Sequence, residues 1–196
     1  MPTVVVPVSA PESVTSIADR EGWTELVIKP SVAGGARGAG RWRADDPGAQ
    51  RALATLLVQG DVLVQPYLRE IESGETSVVM FADALSHAVV KVPATGDFRV
   101  QRHHGGAERG VEPTSAEIDL ARKAVTAAQR VDPVVYARVD CVTVDGRPLV
   151  MELELIEPAL FLPLAPPAAA DRLVEALIES SGVRRQPFRR SPRGGI

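Results

Sequence analysis

The stretch YARVDCVTVDGRPLVMELELIEP, residues 136–158, sets the problem. It is apolar enough to be two strands around an Asp145-Gly146 turn, yet it carries Arg138, Asp140, Glu152 and Glu154 at alternating positions. Successive side chains on a strand point to opposite faces. Tyr136, Arg138 and Asp140 therefore share one face. In MELEL the two glutamates share a face, while Met151, Leu153 and Leu155 take the other. This pattern describes either the wet outer face of a sheet or a cluster of acids built to hold cations.

The turn decides which acids meet. A two-residue Asp145-Gly146 turn pairs Asp140 with Met151 and throws Glu152 to the opposite side. A three-residue loop of Val144, Asp145 and Gly146, with the glycine left-handed in a bulge, reverses the parity. Arg138 then lies opposite Glu152, with Asp140 one diagonal step away. This second register is the expected one, and it gathers three carboxylates and one guanidinium on one patch. Crowded acids repel unless something positive compensates. Mg²⁺ takes oxygen ligands, typically few carboxylates plus substrate phosphates. A solvated face with ordinary Arg–Glu cross-strand pairs accounts for the same residues.

Composition narrows the classes. The chain has 196 residues, of which 45% are hydrophobic, so it can bury a core as one domain or two small subdomains. A net charge of −3 gives no global field toward nucleic acid or an anionic membrane. Cys141 is the single cysteine, which excludes an intrachain disulfide framework and fits a reducing cytoplasm. The start, MPTVVVPVSAPES, lacks the pattern of a signal peptide, and no apolar run reaches the ~20 residues of a membrane span. Among 22 basic residues only Lys29, Lys91 and Lys123 are lysines, and the first two interrupt apolar strands.

Local signals place the elements. A helix is expected from about Pro11–Ser13 to Gly22, with an early acid, and TELVIKPSV is a strand ending at Lys29-Pro30. A glycine-rich turn leads to a short strand. Asp46 as N-cap and Pro47 as first residue open a helix closed by Gly60. DVLVQPYL is a strand, and TSVVMFADALSHAVVKVP is two strands around an ADAL turn. Residues 94–113 read as one long loop, a length usually functional or disordered. Thr114 and Glu117 form a capping box for the next helix. A last helix follows the hairpin, and the five-arginine end, residues 183–196, reads as a solvated disordered tail rather than a nucleic-acid site. The fold class is α+β with largely antiparallel sheets.

In LVIKPSVAGGARGAGRW, residues 26–42, Lys29 precedes Gly34, Gly35, Gly38 and Gly40. Such glycines let backbone N–H groups approach phosphate oxygens. No Gly-Lys-Ser/Thr follows, so this is not a Walker A loop. His103-His104 lack a further histidine or cysteine close in sequence for a metal site. Cys141 alternates away from Asp140 and reads as a buried core thiol. Tyr67 and Trp42 are aromatics able to stack on a base, but strand aromatics are more often core, and Trp42 is read as one.

The order strand, Lys-Pro, glycine loop, helix, VQPYL, acid, lysine, ARVD, MELELIEP resembles the ATP-grasp ligases, in their glutathione-synthetase-like and cycloserine-cyclo-ligase-like branch, over residues 3–178. The resemblance implies the ATP-grasp fold: a small subdomain with the glycine-rich loop at 1–66, and a C-terminal subdomain with the metal site at 67–182. It implies ATP and Mg²⁺. Lys29 matches the lysine that reaches the phosphates, and Gly34 to Gly40 match the loop closing over them. Gln65, Pro66, Tyr67 and Leu68 match the hinge at the adenine edge, and Glu75 the acid on the ribose. Lys91 and Arg99 match basic residues toward the transferred phosphate, Gly105-Gly106 the glycines ending the large loop, and Arg138 the arginine near the γ-phosphate. Asp140, Glu152 and Glu154 match the metal ligands, with Glu154 standing where many relatives have asparagine.

The implied activity is amide formation between a carboxylate and an amine through an acyl phosphate. The sequence begins where the family's central domain begins, so the expectation is an ATP-binding portion whose substrate domain lies elsewhere, or a chain working as a homo-oligomer or beside a partner. The alternative is a non-catalytic module that binds a nucleotide or another chain. Nucleic acid and membrane are not expected partners.

Overall fold

The structure is a computed structural model that describes residues 1–100 and 105–182. Two antiparallel sheets organise it. The first contains β1 (Val4–Val6), β2 (Glu25–Pro30), β3 (Gly40–Arg43) and β4 (Val62–Pro66), in the order β1-β4-β2-β3. The second contains β5 (Glu75–Phe81), β6 (Ala84–Val92), β7 (Ala107–Val111), β8 (Tyr136–Val144) and β9 (Arg147–Glu154), in the order β7-β6-β5-β8-β9. The helices are α1 (Val14–Glu21), α2 (Pro47–Leu57), α3 (Ser115–Ala128) and α4 (Ala169–Ser180).

Each sheet buries one face under helices. Leu26, Ile28, Val62 and Val64 project from the first sheet onto Ile17 of α1 and Leu53 of α2. These side chains are almost wholly excluded from water, each contributing about 1.5–3 kcal/mol of transfer free energy. Val78, Met80, Ala137 and Val139 do the same from the second sheet against Ala121 and Val125 of α3. That leaves the opposite face of each sheet for other use. A third cluster, Tyr67, Ile71, Val100 and Val142 with Val27 and Met151 packed against it, joins the two sheets.

The caps are those the residue types call for. Ser13 caps α1, accepting from the Ser16 N–H, and Gly22 closes it at φ 72°. No acid lies in the first turn of α1, contrary to expectation; Glu12 precedes the cap and pairs with Arg20 instead. The Asp46 carboxylate accepts from the Gly48 N–H. Both halves of the Thr114–Glu117 box are made. Gly60 does not close α2, which ends at Leu57 with Val58 still in right-handed geometry.

Two stretches differ from the sequence expectation. Residues 94–113 are not all loop, because Ala107–Val111 pairs with β6. Val4–Val6 pairs with β4 as a further edge strand. His103-His104 and the tail 183–196 lie outside the described residues.

The register of the second sheet depends on two bulges. In β8–β9 the turn has two residues, with Asp145 at φ 48° and Gly146 at φ 76°, so Val144 pairs with Arg147. Both angles are positive, as a type I′ turn requires. The three-residue loop is therefore not formed. Parity is nonetheless reversed: Cys141 pairs with Val150 but Asp140 pairs with Glu152, leaving Met151 as the extra residue. Arg138 consequently faces Glu154, not Glu152. The β5–β6 hairpin repeats the device. Met80 pairs with Leu85 but Val79 pairs with His87, with Ser86 extra. A bulge of this kind re-aims every side chain beyond it.

Candidate functional site

The helix-free faces of the two sheets enclose a cavity of about 310 Å³. From the first sheet come Thr3, Val27, Lys29, Leu63 and Gln65; from the glycine loop Gly35, Ala36 and Arg37; from the second sheet Glu75, Met151 and Glu152. Register explains the first set. Val27 pairs with Gln65 and Lys29 with Leu63, so these four alternate away from the buried Leu26, Ile28 and Val64. The bulge at Met151 explains the last set. Met151 joins the apolar cluster at the cavity floor, while Leu153 and Leu155 pack against the α3 side. The expectation that all three share one face fails at Met151 for this reason.

Beside the cavity lies a charged network. Ser77, Asp140 and Glu152 form one cross-strand row, and Val79, Arg138 and Glu154 the next. Arg138 grips Asp140 with Nε to Oδ1 at 2.9 Å and Nη2 to Oδ2 at 3.0 Å. Its Nη2 also donates to Glu154, and its Nη1 to the Ala159 carbonyl at 3.3 Å. The Ser77 hydroxyl donates to Asp140 Oδ1 at 2.6 Å, and Lys91 Nζ to Oδ2 at 2.7 Å. Lys91 also pairs with Glu75 at 2.6 Å. The bulge at Ser86 makes this possible, because it sets Lys91 directly opposite Glu75.

The protonation equilibria follow from burial and neighbours. Burial pushes the Asp140 carboxyl up, but Lys91 and Arg138 outweigh it and hold the group below its usual range. Glu75, buried and facing the Asp140 charge, is pushed up to about 7 despite Lys91. Glu154 is also raised, by burial and then by its acidic neighbours, against the pull of Arg138. Asp140, Glu152 and Glu154 each offer one carboxylate oxygen within 4.8 Å of the others. Four carboxylates face two cations here, a surplus of two negative charges when all are ionised. The all-oxygen donor set and that charge fit a hard divalent cation such as Mg²⁺.

Comparison with known proteins identifies the family. Residues 1–158 match the family model described as the prokaryotic glutathione synthetase ATP-grasp domain. The chain belongs to the ATP-grasp family. It is 32% identical over 179 residues to the cycloserine biosynthesis protein DcsG of Streptomyces lavendulae, covering 83% of this chain and 57% of that protein. It is 28% identical over 148 residues to the ribosomal protein bS6–L-glutamate ligase of Shigella boydii serotype 4 (strain Sb227), covering 74% and 47% respectively.

The crystal structure of D-cycloserine synthetase DcsG superposes with a TM-score of 0.77 at 28% identity, over 92% of this chain and 64% of that one. The D-alanine–D-alanine ligase of Bacillus anthracis complexed with ATP superposes at 0.65 with 21% identity, over 92% and 59%, a likeness of fold. The chain spans about half the length of the curated relatives it matches.

Within this ATP-grasp frame the expected site residues fall into groups. Lys29, Gly35, Gln65, Pro66, Tyr67, Leu68, Glu75, Arg99 and Glu152 line the cavity. Gly34 and Gly38 sit one shell out, in a second hollow that also contains Arg99. Arg99 is held by Asp97 at 2.7 Å. Lys91 is buried with both acceptors supplied by protein carboxylates, so its charge acts on Asp140 and Glu75. Gly105 is left-handed at φ 85°, ahead of β7. Tyr67 is not a free stacking surface: Arg41 lies 3.6 Å from its ring centroid and Phe98 meets it edge-on. Trp42 packs on the α2 side. Cys141 is buried, and burial pushes its thiol up to about 12.

The sequence reading missed three contributors. Arg37 lines the cavity from inside the glycine loop, and its place among those glycines was a usable signal. Ser77 holds Asp140, visible only once β5 and β8 are paired. His87 donates from Nε2 to the Leu160 carbonyl (2.8 Å) and meets the Ser86 hydroxyl with Nδ1 (2.9 Å), and so ties the segment after Glu154 to β6. That segment runs back over Arg138, with the Phe161 ring 5.5 Å from its guanidinium.

Proposed function

We propose that this chain is the Mg–ATP-binding portion of a ligase that joins a carboxylate to an amine through an acyl phosphate. The observation that carries the reading is the position of Glu152, which both lines the cavity below Lys29 and belongs to the acid group with Asp140 and Glu154. A nucleotide in the cavity then has its base against Val27, Gln65 and Leu68, and its phosphates between Lys29, the glycine loop and Glu152. Mg²⁺ held by Asp140, Glu152 and Glu154 supplies charge neutralisation at the phosphate oxygens.

The chain's own residues do the positioning. Lys29, Arg37 and the N–H groups of the Gly34–Gly38 loop hold the phosphates. Arg138 fixes Asp140 and Glu154 and presents its remaining charge toward the departing phosphoryl group. Lys91 keeps Asp140 ionised, and Glu75 completes the ribose side. Phosphoryl transfer to a carboxylate asks for positioning and electrostatic stabilisation rather than a protein nucleophile, which is consistent with the inert setting of Cys141.

The test is thermal unfolding of the chain with Mg²⁺ and increasing ATP, beside Glu152→Gln. Glu152 is exposed, so the variant keeps the fold. Ligand at ~100 times its dissociation constant adds roughly 2.7 kcal/mol. A Mg²⁺-dependent rise in midpoint that shrinks in the variant is expected. A cooperative transition that ATP leaves unmoved in both refutes the reading. Release of ADP that requires an added carboxylate and amine separates a ligase from a nucleotide-binding module.

A further inference from the structure

The bulge at Ser86 brings a further residue onto the face of the site. Val79 pairs with His87 on one side and with Arg138 on the other, and Arg138 pairs in turn with Glu154. Residues directly opposite on neighbouring strands point to the same face. His87, Val79, Arg138 and Glu154 therefore form one row across four strands. The register of the turn, continued without a bulge, would put Ser86 in that row instead. His87 and Arg138 are both buried, and the strap of chain after Glu154 lies against both.

Three successive residues of the strap make the contacts. The Ala159 carbonyl accepts from Arg138 Nη1 at 3.3 Å, and the Leu160 carbonyl accepts from His87 Nε2 at 2.8 Å. The Phe161 ring stands 5.5 Å from the Arg138 guanidinium. Phe161 is left-handed at φ 51°, a conformation that a bulky residue keeps only where its surroundings enforce it. Farther on, a side chain at Gly110 of β7 would meet the Leu164 carbonyl at 3.1 Å. The strap thus crosses the sheet, clasped by Arg138 and by His87.

The protonation of the clasp is determined. A carbonyl only accepts, so His87 Nε2 carries the proton, and Nδ1 takes that of the Ser86 hydroxyl at 2.9 Å. Burial, with the Arg172 charge, holds the imidazole below its ordinary value against the pull of the Leu160 carbonyl, so the ring is neutral at pH 7.5. Arg172 of α4 also donates to the Leu85 and Ser86 carbonyls at 3.3 and 3.0 Å, which pins the bulge itself. At the other end of the row, Arg138 spends Nε and Nη2 on Asp140 and Glu154. Its Nη1 gives one N–H to Ala159; the other has no acceptor among the described residues.

We infer that His87 is a positioning residue for Arg138: it clamps the strap at Leu160, and the clamped strap turns the free Nη1 N–H toward the terminal phosphate of ATP. The inference rests on the nucleotide reading above and adds to it a residue two strands away from the guanidinium. Two amide substitutions separate the two ring nitrogens. Glutamine carries its N–H where Nε2 stands and keeps the Leu160 bond. Asparagine reaches only to the Nδ1 position and keeps Ser86 alone.

The experiment measures, by calorimetry at pH 7.5, dissociation constants of the Mg²⁺ complexes of ATP and ADP for the wild-type chain, His87→Gln and His87→Asn. Wild type is expected to prefer ATP. His87→Asn should reduce that preference roughly three- to fivefold, part of the worth of one hydrogen bond to a charged group, by weakening ATP and leaving ADP unchanged. His87→Gln should retain it, which a merely structural role would not distinguish. In an Arg138→Lys background the difference between the two amides should vanish. An ATP/ADP ratio in His87→Asn no lower than in His87→Gln overturns this inference and leaves the nucleotide reading standing, as does a difference that persists with Lys at position 138. Should His87→Asn fail to melt cooperatively, Phe161→Gly decides, since glycine keeps the left-handed backbone without the ring: a lowered ratio supports the clasp and an unchanged one overturns it. No binding of either nucleotide to the wild type overturns both readings.

Discussion

Replacing Lys91 by methionine tests the charged network most directly. Lys91 sits between Glu75 (2.6 Å) and Asp140 (2.7 Å), and all three are almost fully buried. Asp140 keeps the two-pronged grip of Arg138 and the Ser77 hydroxyl after the change. Among the described residues Glu75 pairs with no other cation, so its cost dominates. A buried carboxylate without a counterion takes up a proton rather than remain charged. With Lys91 present the group is already pushed up to about 7, against an ordinary value of 4.5; without it the value rises further. At pH 7 the folded variant must therefore hold a proton that the unfolded chain releases.

Relative to an ordinary value of 4.5, holding that proton costs about 3 kcal/mol at pH 7, at about 1.4 kcal/mol per unit. Wild type, half-protonated there, already bears most of it, and the substitution adds about 0.5 kcal/mol. At pH 5 both forms bear less than about 1 kcal/mol. The sign is that of a raised carboxyl: the native state binds the extra proton, so stability falls as pH rises above 4.5. Urea unfolding of wild type, Lys91→Met and Lys91→Met/Glu75→Gln, at pH 5 and pH 7 in chelator-containing buffer, measures this. From pH 5 to pH 7 the single variant should lose about 2.5 kcal/mol and wild type slightly less, while the double variant, with no carboxyl at position 75, should lose almost none of it. A single variant equally stable at both pH values, or a loss between them not relieved by Glu75→Gln, would refute the reasoning.

Other outcomes are expected from the same structure. Cys141 should resist a thiol reagent at pH 8 in the folded chain and react once it is unfolded in urea. Its thiol also loses its proton earlier in the unfolded chain than at the folded value of about 12, so its contribution to stability falls as pH rises above about 9. Gly146→Ala places a side chain at φ 76° in a turn whose other residue is already left-handed; calorimetric melting should show a loss of about 1 kcal/mol. Thr114→Ala removes one half of the capping box of α3 and should lower stability by about 1 kcal/mol, read by chemical denaturation.

Much of the fold was legible because local chemistry and tertiary structure agree. Asp46-Pro47 and Thr114–Glu117 announce helix starts, and alternation marks β2, β4, β5 and β8. What could not be read is where agreement is made by pairing. AERGV has no apolar period, because β7 is an edge strand sustained by its ladder to β6. Val4–Val6 is too short to show a period at all. The acid group was expected by one route, a three-residue loop, and is reached by another, a two-residue turn followed by a bulge at Met151. Lys91 was readable as an important basic residue. That Glu75 stands opposite it was not, since the register of the turn, continued without a bulge, would set Glu75 against Val90.

The two bulges have a consequence for how such a site can change over time. Substitution alters one side chain, and the network around Asp140 retains other partners. Sliding the strand by one residue so that a bulge closes does something different: it sets Val90 against Glu75, or Met151 against Asp140, and exchanges the two sides of the segment beyond. The site is thus guarded by register as much as by the kinds of residue. A lineage can drift widely in sequence while keeping these pairings, and a designer grafting the acids onto another hairpin must reproduce the pairing of Asp140 with Glu152 and not the turn alone.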